Sequence, residues 1–491
     1  MSVASRIAGS LAVLAALALS GCASSDDSTA RVVAIGGKED PFQQGSRLSL
    51  AGQLVRASTA EGLVAFDEQG RVVPALADRW IVTDDGRSYI FRLRDGTWRG
   101  GGALSATAAQ EALRSAIAAL KGSALGLDLA GIEEIRAMAG RVIEIRLAQP
   151  MPHLLQLLAQ PELGLMHKRE GAGPMQQRRE EQTAVLTPIR PEELGLPTIT
   201  NFDERVRTIR LRAQPSDTAV ARFNNGDADV LLGGRIEDFP LASSVGILRG
   251  TIQLDPVIGL FGLAVMHADG FLATPENREA LAMAIDREGL IAAFGVGGWA
   301  PSTRIVSPTV EGDLGTIGER WTALDLEQRR TLASSRVARW RAGRDGAPRL
   351  RIALPEGPGA NVLFTHLKGD FAAIGIEAVR VGAGKPADLR LIDDIARYPQ
   401  AMWFLNRFNC KVQRGLCNQA ADDRAAEARI TEEPAARAAL LAEAEAELTA
   451  ANVFIPFGAP IRWSLVRSDA IGFAPNRWGW HPLMPMAMRP R

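Results

Sequence analysis

Between Glu61 and Gly101 the chain is cut at short intervals by turn-forming residues: Gly70, Asp85-Gly86 and Asp95-Gly96. Glycine takes positive φ without a steric penalty, and an Asp side chain hydrogen-bonds the backbone of its own turn. Between the last two turns, Ser88 to Arg94 alternates. Tyr89, Phe91 and Leu93 fall on one face and Ser88, Arg92 and Arg94 on the other, with Ile90 the exception on the polar side. A period of two bounded by Asp-Gly pairs predicts antiparallel strands and hairpins. This stretch therefore reads as a small β-meander with one wet face.

The order Glu-Gly-Leu, Gly, Val-Pro-Ala-Leu-Ala, Trp, Asp-Gly, Tyr-x-Phe-x-Leu-Arg, Asp-Gly also resembles a known signature. It is similar to that of bacterial extracellular solute-binding proteins of the oligopeptide, dipeptide and nickel class, which serve ABC importers. Three more segments carry the likeness: Arg141 to Leu155, Asn277 to Arg287 and Val466 to Pro482. Arg99-Gly-Gly-Gly-Ala departs from the family pattern His-Asp-Gly-x-Pro, and only Leu104 and Ser105-Ala106 keep the match there. The resemblance implies an α/β, periplasmic-binding-protein-like two-lobe clamp (cluster C type), with a small α+β domain inserted in the first lobe. On that basis lobe one comprises 31–48, 165–257 and 453–491, the insertion 49–164, and lobe two 258–452.

Arg6 precedes an uncharged Ala/Leu-rich run from Ile7 to Cys22, too short to span a bilayer. Leu19-Ser20-Gly21-Cys22 is similar to the lipobox of bacterial lipoproteins, which implies a leader over 1–21, acylation of Cys22 and a tether over 22–30. An ordinary signal peptide with a chance cysteine is the other reading. Ala23 resembles an outer-membrane sorting residue.

Basic and acidic residues balance at 56 each, which offers no case for a nucleic-acid partner. Cys410 and Cys417 remain as an even pair in an exported chain. A structural disulfide is favoured, with a metal or redox pair as the alternative. The histidines, His153, His167, His267, His366 and His481, show neither HExxH nor paired spacing, so no metal or cofactor is expected.

Among the elements, Thr107-Ala-Ala-Gln110 has capping-box form, and Ala112, Leu113, Ala116, Ile117 and Leu120 make a helical stripe behind it. Gly171 to Pro197, polar and rich in Pro and Gly, reads as a surface loop. Ile258 to Met266 reads as the first crossing between lobes, and Asn452 to Phe457 as the return.

The resemblance also locates a binding site. Peptide-binding members carry Trp-x-x-Asp-Tyr-Pro-Asp-Pro near the cleft, and that Asp holds the peptide amine. The matching positions run from Asp394 through Arg397, Tyr398 and Pro399 to Ala401, so an arginine stands where the amine-binding carboxylate is expected. Arg397 would repel an ammonium group and offers a fork for a carboxylate or phosphate. The plainer expectation is that Asp394 and Arg397 pair with each other. Trp403 and Arg407 downstream, and Trp299, are further ligand-contact candidates, although Trp403 reads first as core and second as a ligand platform.

The expected function is a lipid-anchored, monomeric binding protein on the periplasmic side of the envelope. It would deliver a peptide or related solute to an ABC permease and catalyse nothing. A non-transport paralogue acting as a sensor or interaction lipoprotein is the alternative, and a periplasmic hydrolase, lacking G-x-S-x-G, a weaker one.

Overall fold

The computed structural model describes residues 28–242, 251–308, 310–315 and 317–489. The expected leader, the acylated Cys22 and the tether up to residue 27 lie outside them. The first strands are β1 (Thr29–Ile35), β2 (Val64–Phe66), β3 (Val72–Pro74), β4 (Ala77–Val82), β5 (Ser88–Leu93), β6 (Ile132–Ala137) and β7 (Val142–Leu147). There follow β8 (Met175–Glu180), β9 (Thr183–Pro188), β10 (Thr208–Gln214), β11 (Val230–Gly234), β12 (Ile252–Leu254) and β13 (Gly259–Val265). The last are β14 (Arg349–Leu354), β15 (Glu377–Gly382), β16 (Leu389–Ile395), β17 (Phe454–Gly458) and β18 (Trp463–Val466).

Two large sheets carry the two lobes. One has the order β12-β18-β11-β1-β10-β9-β8, the other β15-β14-β16-β13-β17. β1 runs parallel to both β10 and β11, with Val32 opposite Leu211 on one side and Val230 on the other. In the second sheet β14 and β15 are parallel, and the helix Pro358–Ala373 connects them over one face. Covered on both faces, β13 is buried at every position, which is why its sequence is apolar without alternation.

The meander forms largely as its sequence dictates. β4-β5-β7-β6 is an antiparallel sheet, and Tyr89, Phe91 and Leu93 are buried while Arg92 is exposed. Gly86, at φ +65, turns β4 into β5. Asp95-Gly96 closes no hairpin: β5 pairs next with β7, and the chain leaves instead for the helix Ala106–Ala119. That helix is capped by Ser105, whose hydroxyl accepts from Ala108 N at 3.2 Å. Thr107 lies inside it, and Gln110 reaches the carbonyl of Ile135 rather than closing a capping box.

Other expectations are corrected by what packs where. Residues 175–188 form the hairpin β8–β9 at the edge of the seven-stranded sheet, inside the stretch read as loop. Met175, Ala184 and Leu186 are buried, while Arg178, Arg179 and Glu180 line the open edge and mask the strand pattern. The helix Leu50–Thr59, assigned to the insertion, packs on β1, β8, β9 and β10. β13 and β17 pair along their length within the five-stranded sheet, so neither is a crossing. The chain passes between sheets at 255–258 and 459–462, because β12 and β18 belong to the other sheet. A central strand and a lobe crossing are equally apolar in sequence, and only pairing tells them apart.

Candidate functional site

The helix Leu154–Leu158 ends at Ala159, and Pro161 opens a 3-10 turn, Pro161–Leu163, that directs Glu162 inward. This turn packs on the helix Leu50–Thr59, on the side of the first sheet. Facing it is Arg397, just beyond the end of β16 in the second sheet. Arg397 Nη2 donates to Glu162 Oε1 at 2.7 Å and Nη1 to Oε2 at 3.0 Å, while Nη1 also donates to Gln160 Oε1 at 2.7 Å. This is a two-pronged guanidinium–carboxylate pair. Burial pushes the Glu162 carboxyl up, but the charge and hydrogen bonds of Arg397 outweigh it and leave it below the usual range. Burial lowers and Glu162 raises the Arg397 guanidinium, with a net rise.

The expected pair between Asp394 and Arg397 does not form. Asp394 is still inside β16, opposite Leu260, and pairs with Arg414 from the disulfide loop. Burial raises its carboxyl and Arg414 more than compensates, with a net lowering. Arg397 lies past the strand end and is free to turn toward Glu162.

Tyr398, Trp403 and Arg407 converge, though on a protein group. Asp128, in the short helix Ala124–Asp128, accepts from Tyr398 Oη at 2.9 Å and Asn406 Nδ2 at 2.8 Å through Oδ1, and from Arg407 Nη2 at 2.6 Å through Oδ2. Tyr398 stacks on His153 with ring centroids 4.0 Å apart. Burial raises the Tyr398 hydroxyl well above its ordinary value and lowers His153 to about 4, so both stay neutral at neutral pH. Trp403 is 1 % exposed, lies under Arg407 and meets Phe404 edge-on. These side chains fasten the four-stranded meander's side of the molecule to the second lobe. Trp299 packs between Phe261 and Phe294 and donates Nε1–H to Ala459 O at 2.8 Å, bracing the second crossing. Cys410 and Cys417 are joined in a disulfide.

Beside Glu162 lies a polar basin of about 330 Å3 whose lining includes Gln43, Gln44, Arg56, Arg99, Gln176 and Gln177. Arg56 donates to Gly45 O at 3.1 Å and Arg99 to Met175 O at 2.7 Å. Burial lowers both guanidinium pKa values, partly offset by Glu162 for Arg56 and by Glu170 for Arg99. Among the described residues neither arginine enters an ion pair, and with Arg169 and Glu170 also in the lining three cations face one acid, so the basin keeps a positive field.

Sequence reasoning missed Asp128, Gln160, Glu162, Arg56 and Arg99. The two acids did leave a signal: each is the lone charge in an apolar run, Asp128 between Ala124 and Gly131 and Glu162 between Leu154 and Met166. A lone carboxylate in such a run needs a partner from elsewhere in the fold. The two arginines leave no comparable mark.

The profile of "Bacterial extracellular solute-binding proteins, family 5 Middle" matches residues 71–187 and 203–402. The chain is 35% identical over 125 residues to the probable deoxycholate-binding periplasmic protein YgiS of Escherichia coli K12, which is 21% of this chain and 23% of that one. It is 25% identical over 311 residues to the glutathione-binding protein GsiB of Salmonella paratyphi A, 57% of this chain and 56% of that one. The matches thus span about a quarter and about half of these relatives' lengths. In structure it superposes on Haemophilus influenzae OppA in complex with RPPGFSPFR with a TM-score of 0.80 and 18% identity, covering 94% of this chain and 99% of that one.

Proposed function

The chain belongs to the bacterial extracellular solute-binding proteins of family 5, the oligopeptide, dipeptide and nickel class, and from that premise we propose that it is the substrate-binding component of an ABC importer. It captures a small anionic solute between its lobes and passes it unchanged to a permease. It works as a monomer on the periplasmic side of the envelope, held there by an acylated Cys22. Among the described residues no helix is long and apolar enough to cross a membrane.

One observation carries the choice of solute. The carboxylate that would grip a peptide amine is replaced by Arg397, and the acid nearest to it, Glu162, is already committed to Arg397. An incoming ammonium group finds no free carboxylate at Arg397, and in the first-lobe basin beside Glu162 the one acid, Glu170, is outnumbered by Arg56, Arg99 and Arg169, none of which enters an ion pair among the described residues. The ligands named for the two relatives, deoxycholate and glutathione, both carry net negative charge at neutral pH, which accords with an anionic solute, although glutathione also bears an ammonium group.

The test is a thermal-shift and calorimetric panel of dicarboxylates and N-acetylated acidic dipeptides against cationic free-amine peptides. Acidic solutes at a hundred times Kd should stabilise the protein by about 2.7 kcal/mol. Arg56→Gln with Arg99→Gln should weaken them at least tenfold, and cationic peptides should give no shift. Tight binding of cationic peptides, indifferent to Arg397→Gln, overturns the assignment.

A further inference from the structure

A second cavity, also of about 330 Å3, lies apart from the basin beside Glu162. One wall comes from the meander's side, through Asp128, Met151 and His153. The other comes from the second lobe, through Tyr398, Met402 and the helix pair Gln419–Ile430 and Pro434–Ala451. Its volume is at the low end of the range, roughly 300–1,000 Å3, that small-molecule sites occupy.

The lining has a definite chemistry. Met151, Pro152, Met402, Ile430 and Leu441 give it apolar walls, and Ile430 at the end of its helix is 67% exposed. The acid on the floor is spent: both Asp128 oxygens are taken by Tyr398, Asn406 and Arg407, and Arg407 cancels its charge. Two further cations line the space. Arg429 donates to Asn406 Oδ1 at 3.4 Å, and Arg437 to the carbonyls of Thr431 at 3.0 Å and Glu432 at 3.2 Å. Neither enters an ion pair among the described residues, and a guanidinium carries five donors, so each keeps some to offer. Glu311 is the opposing charge, held by Gln400 Nε2 at 2.7 Å. With Asp128 neutralised and His153 neutral, the net balance of the lining is positive.

We propose that this cavity is a second binding site, separate from the solute cleft, for an amphipathic organic anion: a compact hydrocarbon body among Met151, Met402 and Leu441, and one carboxylate on Arg429 and Arg437. Because its walls come from two parts of the fold, a molecule held there bridges them. Apolar burial sets affinity and the guanidinium pair sets sign, so the ligand needs both parts.

Decanoate, decanol and decyltrimethylammonium, titrated calorimetrically into the full chain, separate the two requirements. Decanoate should bind, with the alcohol at least tenfold weaker and the cation not at all. Shortening the acid should cost about fourfold per methylene, the equivalent of ~0.8 kcal/mol each. Arg429→Gln with Arg437→Gln should erase the preference for acid over alcohol, and Ala438→Phe, which fills the cavity, should abolish decanoate binding. Arg56→Gln with Arg99→Gln should leave decanoate untouched, which keeps this site distinguishable from the cleft. No binding of decanoate overturns the proposal. So does decanoate binding that survives both the Arg429/Arg437 double variant and Ala438→Phe, or that is lost with Arg56 and Arg99. The arginine double variant lies on half-buried helix positions, so it keeps the test decisive should Ala438→Phe fail to fold.

Discussion

Arg397 is where residue identity and residue environment are most easily confused. In sequence it is a cation set in an amine-binding position. In the fold it is neutralised by Glu162, and the unpaired charge nearby belongs to Arg56 and Arg99. Removing one partner of a buried pair leaves the other uncompensated, so Glu162→Gln should cost about 3–5 kcal/mol in urea unfolding. Adding Arg397→Gln should restore part of it, and additive losses would mean that the two side chains are not coupled. The pair also has a pH signature. The folded Glu162 carboxyl titrates below the ordinary value of ~4.3, so its contribution is complete above that value and is lost as pH falls through the folded one. The stability difference between the wild type and the double variant should be flat from about pH 5 to 8 and shrink in acid; a difference that grows in acid contradicts the pairing. Arg397 and Tyr398 were legible from the register of one motif. Glu162 was not, because nothing local specifies which distant guanidinium a lone acid meets.

At the scale of elements, legibility followed the contrast between faces. β5 and β7 have one dry and one wet face, and their alternation predicts them directly. β8, an edge strand bearing Arg178, Arg179 and Glu180, lost that contrast, and β13, buried on both faces, never had it. The disulfide is an element whose contribution can be measured. It closes a loop over a sequence separation of 7, and Arg414 within that loop reaches Asp394. Replacing both cysteines by serine should cost about 2.5 kcal/mol in the chain-entropy account. An unchanged unfolding midpoint would show that the loop is held by its other contacts, such as Cys410 N donating to Asp422.

At the scale of the molecule, two sheets joined by two short crossings make a body whose halves meet through apolar packing, such as Ile236 against the second lobe's core, and through directional contacts. Among those contacts are Arg397 with Glu162, the Asp128 cluster, Arg87 with Glu432, and Asp393 with Arg235 and with Arg462 at 2.7 Å on the second crossing. The family likeness made this architecture readable from four separated motifs, whereas the sequence of β13 and β17 placed the crossings a strand away from where they lie. Such a body suits reversible closure over a guest. Native mass spectrometry of the full chain, incubated with acidic solutes and with cationic peptides, asks the question most directly. A clamp of this kind predicts one intact acidic solute per chain, released unaltered on activation. Adducts with cationic peptides alone, or masses of cleaved products, would contradict it.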